Sequence, residues 1–399
     1  MHPASLTLIF SGLGHFIMHV TVGLYLTAVL FIEPAWGITY DVLINQWWWG
    51  ALLVGGGAPI CGWLGDRIGR ARMMVIFFML TGVSLGVITV AQTLVQIKVG
   101  LICLGLAAAI YHPVGIPWVA SQDAPHRGRA LGINGVFGAM GVALSPMIAT
   151  GIESLANWRA MFLVFALISL IAGVALAVFA RRLDAPIVQQ KQARRPATPM
   201  MGYLLLGFFL IVALNATVWH SLNIAMPKWF ALNLPQQSFL QVGLMVTFVY
   251  ILASAGQIIS GSLSDRLNPL GVYLMTLLLH IPFILLAGYV AGVPLIIVLA
   301  LQTFFLTASL PVESLLILRI TPQAWQGTVY GIKYIGAFGV QPLALMVVGY
   351  SYQRTTTLPF APDLPFTSMV PILTLIALAA LVIGMVIFRT HRPALHAAS

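Results

Sequence analysis

The sequence predicts an all-α integral membrane protein: twelve transmembrane helices arranged as two pseudo-symmetric six-helix bundles. Three observations predict it. Charge is scarce, apolar runs of spanning length follow one another, and motifs repeat at about half the chain length. Of 399 residues, 7 % are charged and 60 % hydrophobic, and the mean hydropathy is +0.99. A water-soluble domain carries about 25 % charged residues, so the solvent for most of this chain is the lipid bilayer. A net charge of +10 would suit nucleic acid on a soluble domain, but no such domain exists to carry it, and nucleic acid is not expected as a partner. In a membrane protein a basic excess belongs in cytoplasmic loops. Cys61 and Cys103 both lie in apolar runs and form neither a disulfide framework nor a metal-ligand pattern.

A spanning helix needs ~20 mostly apolar residues. The runs that qualify are 5–32, 43–62, 73–91, 96–120, 129–151, 160–180, 201–226, 239–261, 271–289, 294–318, 328–350 and 369–388. They are continuous, and about twice the length of the ~10-residue alternating segments of a β-barrel. The first follows MHPAS with no Lys or Arg before it. It is too long for the apolar core of a cleavable signal, so it is expected to be retained as a helix. The polar stretch RRLDAPIVQQKQARRPATP divides the helices six and six. The expected organisation is a bundle over 1–180, a cytoplasmic linker over 181–200 and a second bundle over 201–399.

Charge sets the orientation. Even-numbered connections and the C-terminal tail hold Arg67, Arg70, Arg72, Arg127, Arg129, Arg181, Arg182, Lys191, Arg194, Arg195, Arg266, Arg319, Arg389 and Arg392. The opposite connections hold only Lys98, Arg159, Lys228 and Arg354, and Lys333 lies within the eleventh run. Positive-inside bias therefore places both termini in the cytoplasm, the expected membrane being a bacterial inner membrane. Trp36, Tyr40, the run Trp47-Trp48-Trp49, Trp158 and Trp229 flank the outer loops and are expected to form an interfacial belt.

The repeat fixes the fold class. Asp66-Arg67 recurs as Asp265-Arg266, Gly62-x-Leu64 as Gly261-x-Leu263 and Gly132-Ile133 as Gly331-Ile332, all at an offset of 199. Pro113-Val114 recurs as Pro311-Val312 at 198. Matches at nearly one spacing, in the corresponding helix of each half, imply two homologous bundles related by an axis along the membrane normal, with a substrate site near the bilayer midplane between them.

The segment Gly62-x-Leu64-x-Asp66-Arg67-x-Gly69-Arg70 resembles the signature loop between helices two and three of the major facilitator superfamily. Asn157-Trp158-Arg159 is similar to the Trp-Arg pair that the same superfamily carries before helix six. The resemblance spans both halves. It implies a monomeric secondary transporter of a small molecule that works by alternating access without a cofactor. Gly62, Asp66, Arg67, Gly69 and Arg70, with Asp265 and Arg266 in the partial second copy, would form the cytoplasmic gate. Gly141-Val-Ala-Leu-Ser-Pro146 resembles the Gly-Pro motif of drug/proton antiporters, though Ser145 stands where a Gly is expected. Tyr111-His112-Pro113 is reminiscent of the fosmidomycin-resistance-type branch, though Val114 replaces an expected acid. Leu101 takes the place of an Arg that many proton-coupled members carry.

Ionisable groups inside spans are costly, ~2.5–3.5 kcal/mol or more, and are functional candidates by default. Glu313 is the single carboxylate well inside a run; it is either a protonation site or a static partner of Lys333 or Arg319. Lys333 either attracts an anionic substrate or neutralises Glu313. His15 and His19 share a helix face at i, i+4. With His112 and His220 they are candidates for substrate or proton coupling, or for hydrogen-bonded packing; no third ligand is near the pair in sequence, so a metal is not expected. Asn134 and Asn215 are further polar intruders, and Asn134 and Lys333 occupy matching repeat positions. Gly82-Val-Ser84-Leu-Gly86 fits G-x-S-x-G but lies inside an apolar helix, so the nucleophile reading fails its context. There is no HExxH and no phosphate loop, and the chain is not expected to be an enzyme. The leading expectation is proton-coupled export; the alternative is proton-coupled uptake of a small organic anion.

Overall fold

The computed structural model describes residues 3–121, 127–183, 199–321, 326–354 and 366–396. They form helices α1 (Pro3–Trp36), α2 (Tyr40–Ile44), α3 (Trp48–Gly56), α4 (Ala58–Ile68), α5 (Arg70–Thr89), α6 (Leu94–Ala120), α7 (Arg127–Leu155) and α8 (Trp158–Leu183), followed by α9 (Pro199–Asn233), α10 (Phe239–Ser264), α11 (Pro269–Ala287), α12 (Val293–Ile320), α13 (Gln326–Gly339), α14 (Gln341–Gln353) and α15 (Met369–His396). No strand occurs among the described residues. Most of the expected linker, residues 184–198 with Lys191, Arg194 and Arg195, lies outside them.

Among the described residues, eleven stretches are long and apolar enough to cross a membrane, Gly331–Gln353 being one span made of α13 and α14. The second expected span, 43–62, is not a single helix. Residues 40–68 run as α2, a 3-10 turn at Asn45–Trp47, α3 and α4. Pro59 sits in the first turn of α4, where its missing N–H removes one ladder bond. The path still continues, because the Gly57 N–H reaches the Leu53 carbonyl at 2.8 Å and the Cys61 N–H reaches the Gly57 carbonyl at 3.0 Å. The sequence places its ends at 43–62; the helical path overruns both, into the charged loop that follows.

Local chemistry sets the ends of the elements. Thr93 and Gln96 form a reciprocal capping box at the start of α6, satisfying two otherwise orphaned donors. The Asn157 side chain accepts from the Arg159 and Ala160 N–H groups and starts α8. Asn268 does the same for α11. Between α4 and α5 the chain turns on Gly69 alone, at φ +103° and ψ 139°. An L side chain rarely adopts that conformation, so the turn requires glycine.

Two compact units result: Met1–Gln189 with Phe239–Thr247, and Gln190–Ser238 with Phe248–Ser399. In the first, α1 packs along α7, α5 along α6 and α8, and α3 along α6. The α3–α6 approach is close because glycines face each other. A Cβ on Gly105 would lie 2.3 Å from the Gly50 carbonyl oxygen. In the second unit α11 packs on α12, and α9 on α14 and α15. Outer faces stay apolar, as on α8, where Leu167, Ile171, Val174 and Val178 are exposed at helical spacing and meet lipid.

The aromatic belt is only partly present. Trp49 is 51 % exposed, but Tyr40, Trp47, Trp158 and Trp229 are buried in protein. Their large rings fill interhelical space instead. Trp158 stacks edge-on against Trp36 at 5.8 Å and underlies the Arg159 guanidinium at 4.2 Å. Arg159 in turn donates to the Ala91 carbonyl at 2.9 Å, tying the start of α8 to the end of α5.

Candidate functional site

The charged loop comes first because its sequence is the most specific. On α4, Gly62 and Gly65 face α6. A Cβ on Gly62 would sit 3.2 Å from the Pro113 Cβ, and one on Gly65 2.9 Å from a Val114 methyl. Small residues therefore bring the loop against the end of α6. There Arg70 donates to the Pro117 carbonyl at 2.8 Å and meets the Asp66 carboxylate at 3.2 Å. Arg67 lies 4.0 Å over the Trp63 ring. One arginine thus joins α4, α5 and α6. In the second copy Asp265 and Arg266 are exposed on the turn between α10 and α11, and no ion pair links either of them among the described residues.

Within the first unit a polar cluster is buried where α1, α6 and α7 meet. Asn134 is its hub. Its side-chain oxygen accepts from the Tyr111 hydroxyl at 3.0 Å and from Ser11 at 3.3 Å. Ser11 also reaches the Gly115 carbonyl at 3.0 Å. His15 Nδ1 lies 2.9 Å from the Asn134 backbone carbonyl. A carbonyl only accepts, so Nδ1 carries the proton and donates. The ring has room because residue 138 is Gly: a Cβ there would lie 2.4 Å from the imidazole. Tyr111 stacks on His15 at 4.6 Å. His19, one turn along α1, and His112, on α6, complete a three-imidazole group with ring centroids 5.1–5.5 Å apart. One ligand-type atom from each ring lies within 4.8 Å of the others.

The second unit buries an ion pair. Lys333 Nζ on α13 is 2.8 Å from Glu313 Oε1 on α12. The Tyr273 hydroxyl of α11 donates to Oε2 at 3.1 Å, and Lys333 also donates to the Ser314 hydroxyl at 2.8 Å. Glu313 is 1 % and Lys333 8 % exposed. A charge this deep needs a partner, and of the two partners expected for Glu313 the fold supplies Lys333. His220 on α9 makes its own contact with α13: its Nε2 lies 2.9 Å from the Ala337 carbonyl, so Nε2–H donates. The two histidines therefore play like parts, each bonded from the first helix of its half to a carbonyl of the fifth. Asn215 is buried with neither amide atom hydrogen-bonded among the described residues. Buried polar atoms rarely stay so.

Sequence reasoning named most of these residues but not their partners. Ser11, Tyr111 as a hydrogen-bond donor, Tyr273 and Ser314 were missed. A Ser or Tyr in an apolar helix is too common to signal function. His112 as the neighbour of His15 and His19 was also missed, since α1 and α6 are about a hundred residues apart in the chain.

Helices of spanning length that bury ionisable groups in their interiors mark an integral membrane protein with candidate functional sites inside its spans. The chain belongs to the Major Facilitator Superfamily, which its sequence matches over residues 11–229 and again over 208–399. It is a transporter, not an enzyme. Among its relatives is the "Probable sulfoacetate transporter SauU" of Cupriavidus necator, 26 % identical over 81 % of this chain and 80 % of that one. Another is the "Probable 4-methylmuconolactone transporter" of Cupriavidus pinatubonensis, 28 % identical over 76 % and 67 %. The fold is that of a bacterial homologue of the human lysosomal transporter Spinster, solved inward-facing and occupied, with a TM-score of 0.76, 13 % identity and 98 % of both chains covered.

Proposed function

We propose that the protein is a secondary active transporter that takes up a small organic anion together with protons across a bacterial inner membrane. The observation that carries this reading is the buried Lys333–Glu313 pair at 2.8 Å. While Glu313 is ionised it occupies the ammonium. When Glu313 is protonated, Lys333 is released to hold a carboxylate or sulfonate. Proton and anion then favour each other's binding, which is the thermodynamic content of symport. The relatives support the substrate class, one being named for a sulfonated carboxylic acid and another for a lactone acid.

The direction follows from charge. An anion entering a cell that is negative inside is opposed by ~2.3 kcal/mol per charge per 100 mV. A proton carried along cancels that opposition, whereas an exported anion needs no such help. Bodies 1–180 and 201–399 act as the rocking halves, both termini are cytoplasmic and the monomer is the working unit. Asp66, Arg67 and Arg70 brace the inner gate, with Gly62 and Gly69 setting its approach and turn and Asp265 and Arg266 as its lesser counterpart. Asn215, His220 and Asn134 orient the substrate or the proton path. The buried, unpaired amide of Asn215 supports a contact to substrate or to water. A second reading, proton-coupled export, draws support from Gly141 and Pro146 in α7.

The test is proton flux in right-side-out vesicles given short sulfonates and carboxylates in turn. Symport predicts alkalinisation of the medium on adding a substrate. Glu313→Gln should leave anion exchange but uncouple it from protons. Silence with every anion, together with alkalinisation of acid-loaded everted vesicles by cationic amphipaths, would establish export instead.

A further inference from the structure

We propose that His15, His19 and His112 form a binding site for a transition-metal dication of the zinc class, bridging α1 and α6. Three features of the cluster point to it. Its geometry is convergent: one ring nitrogen from each residue lies within 4.8 Å of the other two. A tetrahedral ion with ~2.05 Å bonds to nitrogen sets its ligands roughly 3.3 Å apart, so the rings close the remaining gap by small rotations. Its tautomer is prepared: the Nδ1–H of His15 is committed to the Asn134 carbonyl at 2.9 Å. That leaves Nε2 with its lone pair, and a metal-bound histidine is usually oriented by such an outer hydrogen bond. Its donor set is selective: three imidazoles suit zinc, copper, nickel or cobalt and not magnesium or calcium, which take oxygen.

The supporting shell is built from main chain. The carbonyl that orients His15 belongs to α7, and the ring is seated over Gly138. Tyr111 stacks on the His15 ring at 4.6 Å. Three protein ligands leave the fourth position of a tetrahedral ion to water or an exogenous anion. The site joins His15 and His19 on α1 to His112 on α6, so a bound ion pins two helices of the first unit together. This inference stands on the first unit alone and does not depend on which substrate the transporter carries.

Purified protein in detergent, with its affinity tag removed, would be titrated with Co²⁺ alone and followed by visible absorption. One ion per chain is expected, with the intense d–d bands of tetrahedral coordination. His19→Gln and His112→Gln should each abolish the bands while the protein still elutes as a single symmetric species. His19→Cys should keep the ion and add a thiolate-to-cobalt charge-transfer band, a gain that no surface histidine can mimic. Gly138→Ala, by displacing the His15 ring, should weaken binding about 10–100-fold. Absent bands in well-folded protein would overturn the proposal, as would bands unchanged in His19→Gln and His112→Gln. Neither result bears on anion transport, which these measurements do not read.

Discussion

Glu313 and Lys333 show how a residue is judged by what it leaves behind. Each is tolerated in the second unit because the other is 2.8 Å away. Removing one partner of a buried pair strands the other charge, at about 3–5 kcal/mol, whereas replacing both by apolar or neutral groups is often close to neutral. Glu313→Gln and Lys333→Met should therefore each lower the melting temperature in detergent, and the double variant should recover most of the loss. Destabilisation by the double variant equal to the sum of the two singles would mean that the pair does not act as a unit. Tyr273 gives a finer control. Tyr273→Phe removes one hydrogen bond to Glu313 Oε2, and losing a partner from a charged acceptor costs about 1–3 kcal/mol.

At the scale of elements, helix approach is governed by what the glycines lack. Gly105→Ala would press a methyl to within 2.3 Å of the Gly50 carbonyl. Overpacking of this kind costs about 1–3 kcal/mol. Gly86 on α5 is the control: nothing lies within 4 Å of the position its Cβ would take, and Gly86→Ala should be neutral or slightly stabilising, since Ala favours helix over Gly by up to ~1 kcal/mol. Thermal unfolding of the two variants side by side decides whether close packing, rather than helix propensity, sets the α3–α6 contact. Gly69→Ala belongs to the same scale. At φ +103° a side chain is strained by about 1–3 kcal/mol, and the α4–α5 turn should loosen first, seen as faster amide exchange in Asp66–Arg70.

For the whole molecule the testable quantities are orientation and gating. With Cys61 and Cys103 replaced by Ser, a single cysteine at Arg181 should react with an impermeant thiol reagent only from the cytoplasmic side, and one at Lys98 only from outside. The reverse pattern would invert the topology. Arg70 bonds the Pro117 carbonyl and pairs with Asp66, so Arg70→Ala should cut the transport rate severalfold while leaving substrate binding intact. Asp66 is 55 % exposed at its side chain, where an ion pair contributes at most about 1 kcal/mol. Asp66→Asn should therefore alter rate far more than stability.

The sequence by itself determined the fold class, which depends on solvent and on local order. Runs of ~20 apolar residues in a chain with 7 % charge can only be membrane helices, because lipid offers the backbone no hydrogen bonds. The loop motif from Gly62 to Arg70 was legible through its resemblance to a family signature, whereas its contacts with Pro113, Val114 and Pro117 of α6 were not. What the tertiary structure decided is which distant groups meet. Glu313 takes Lys333 and not Arg319, Asn134 becomes the hub for Ser11, Tyr111 and His15, and Trp47, Trp158 and Trp229 pack inward although their positions suit a belt. His112 joins His15 and His19 across about a hundred residues of chain. Hydropathy is blind to these pairings. A helix buried on several sides is apolar almost all round, so its pattern does not report which face meets which neighbour; close packing of the bundle settles that.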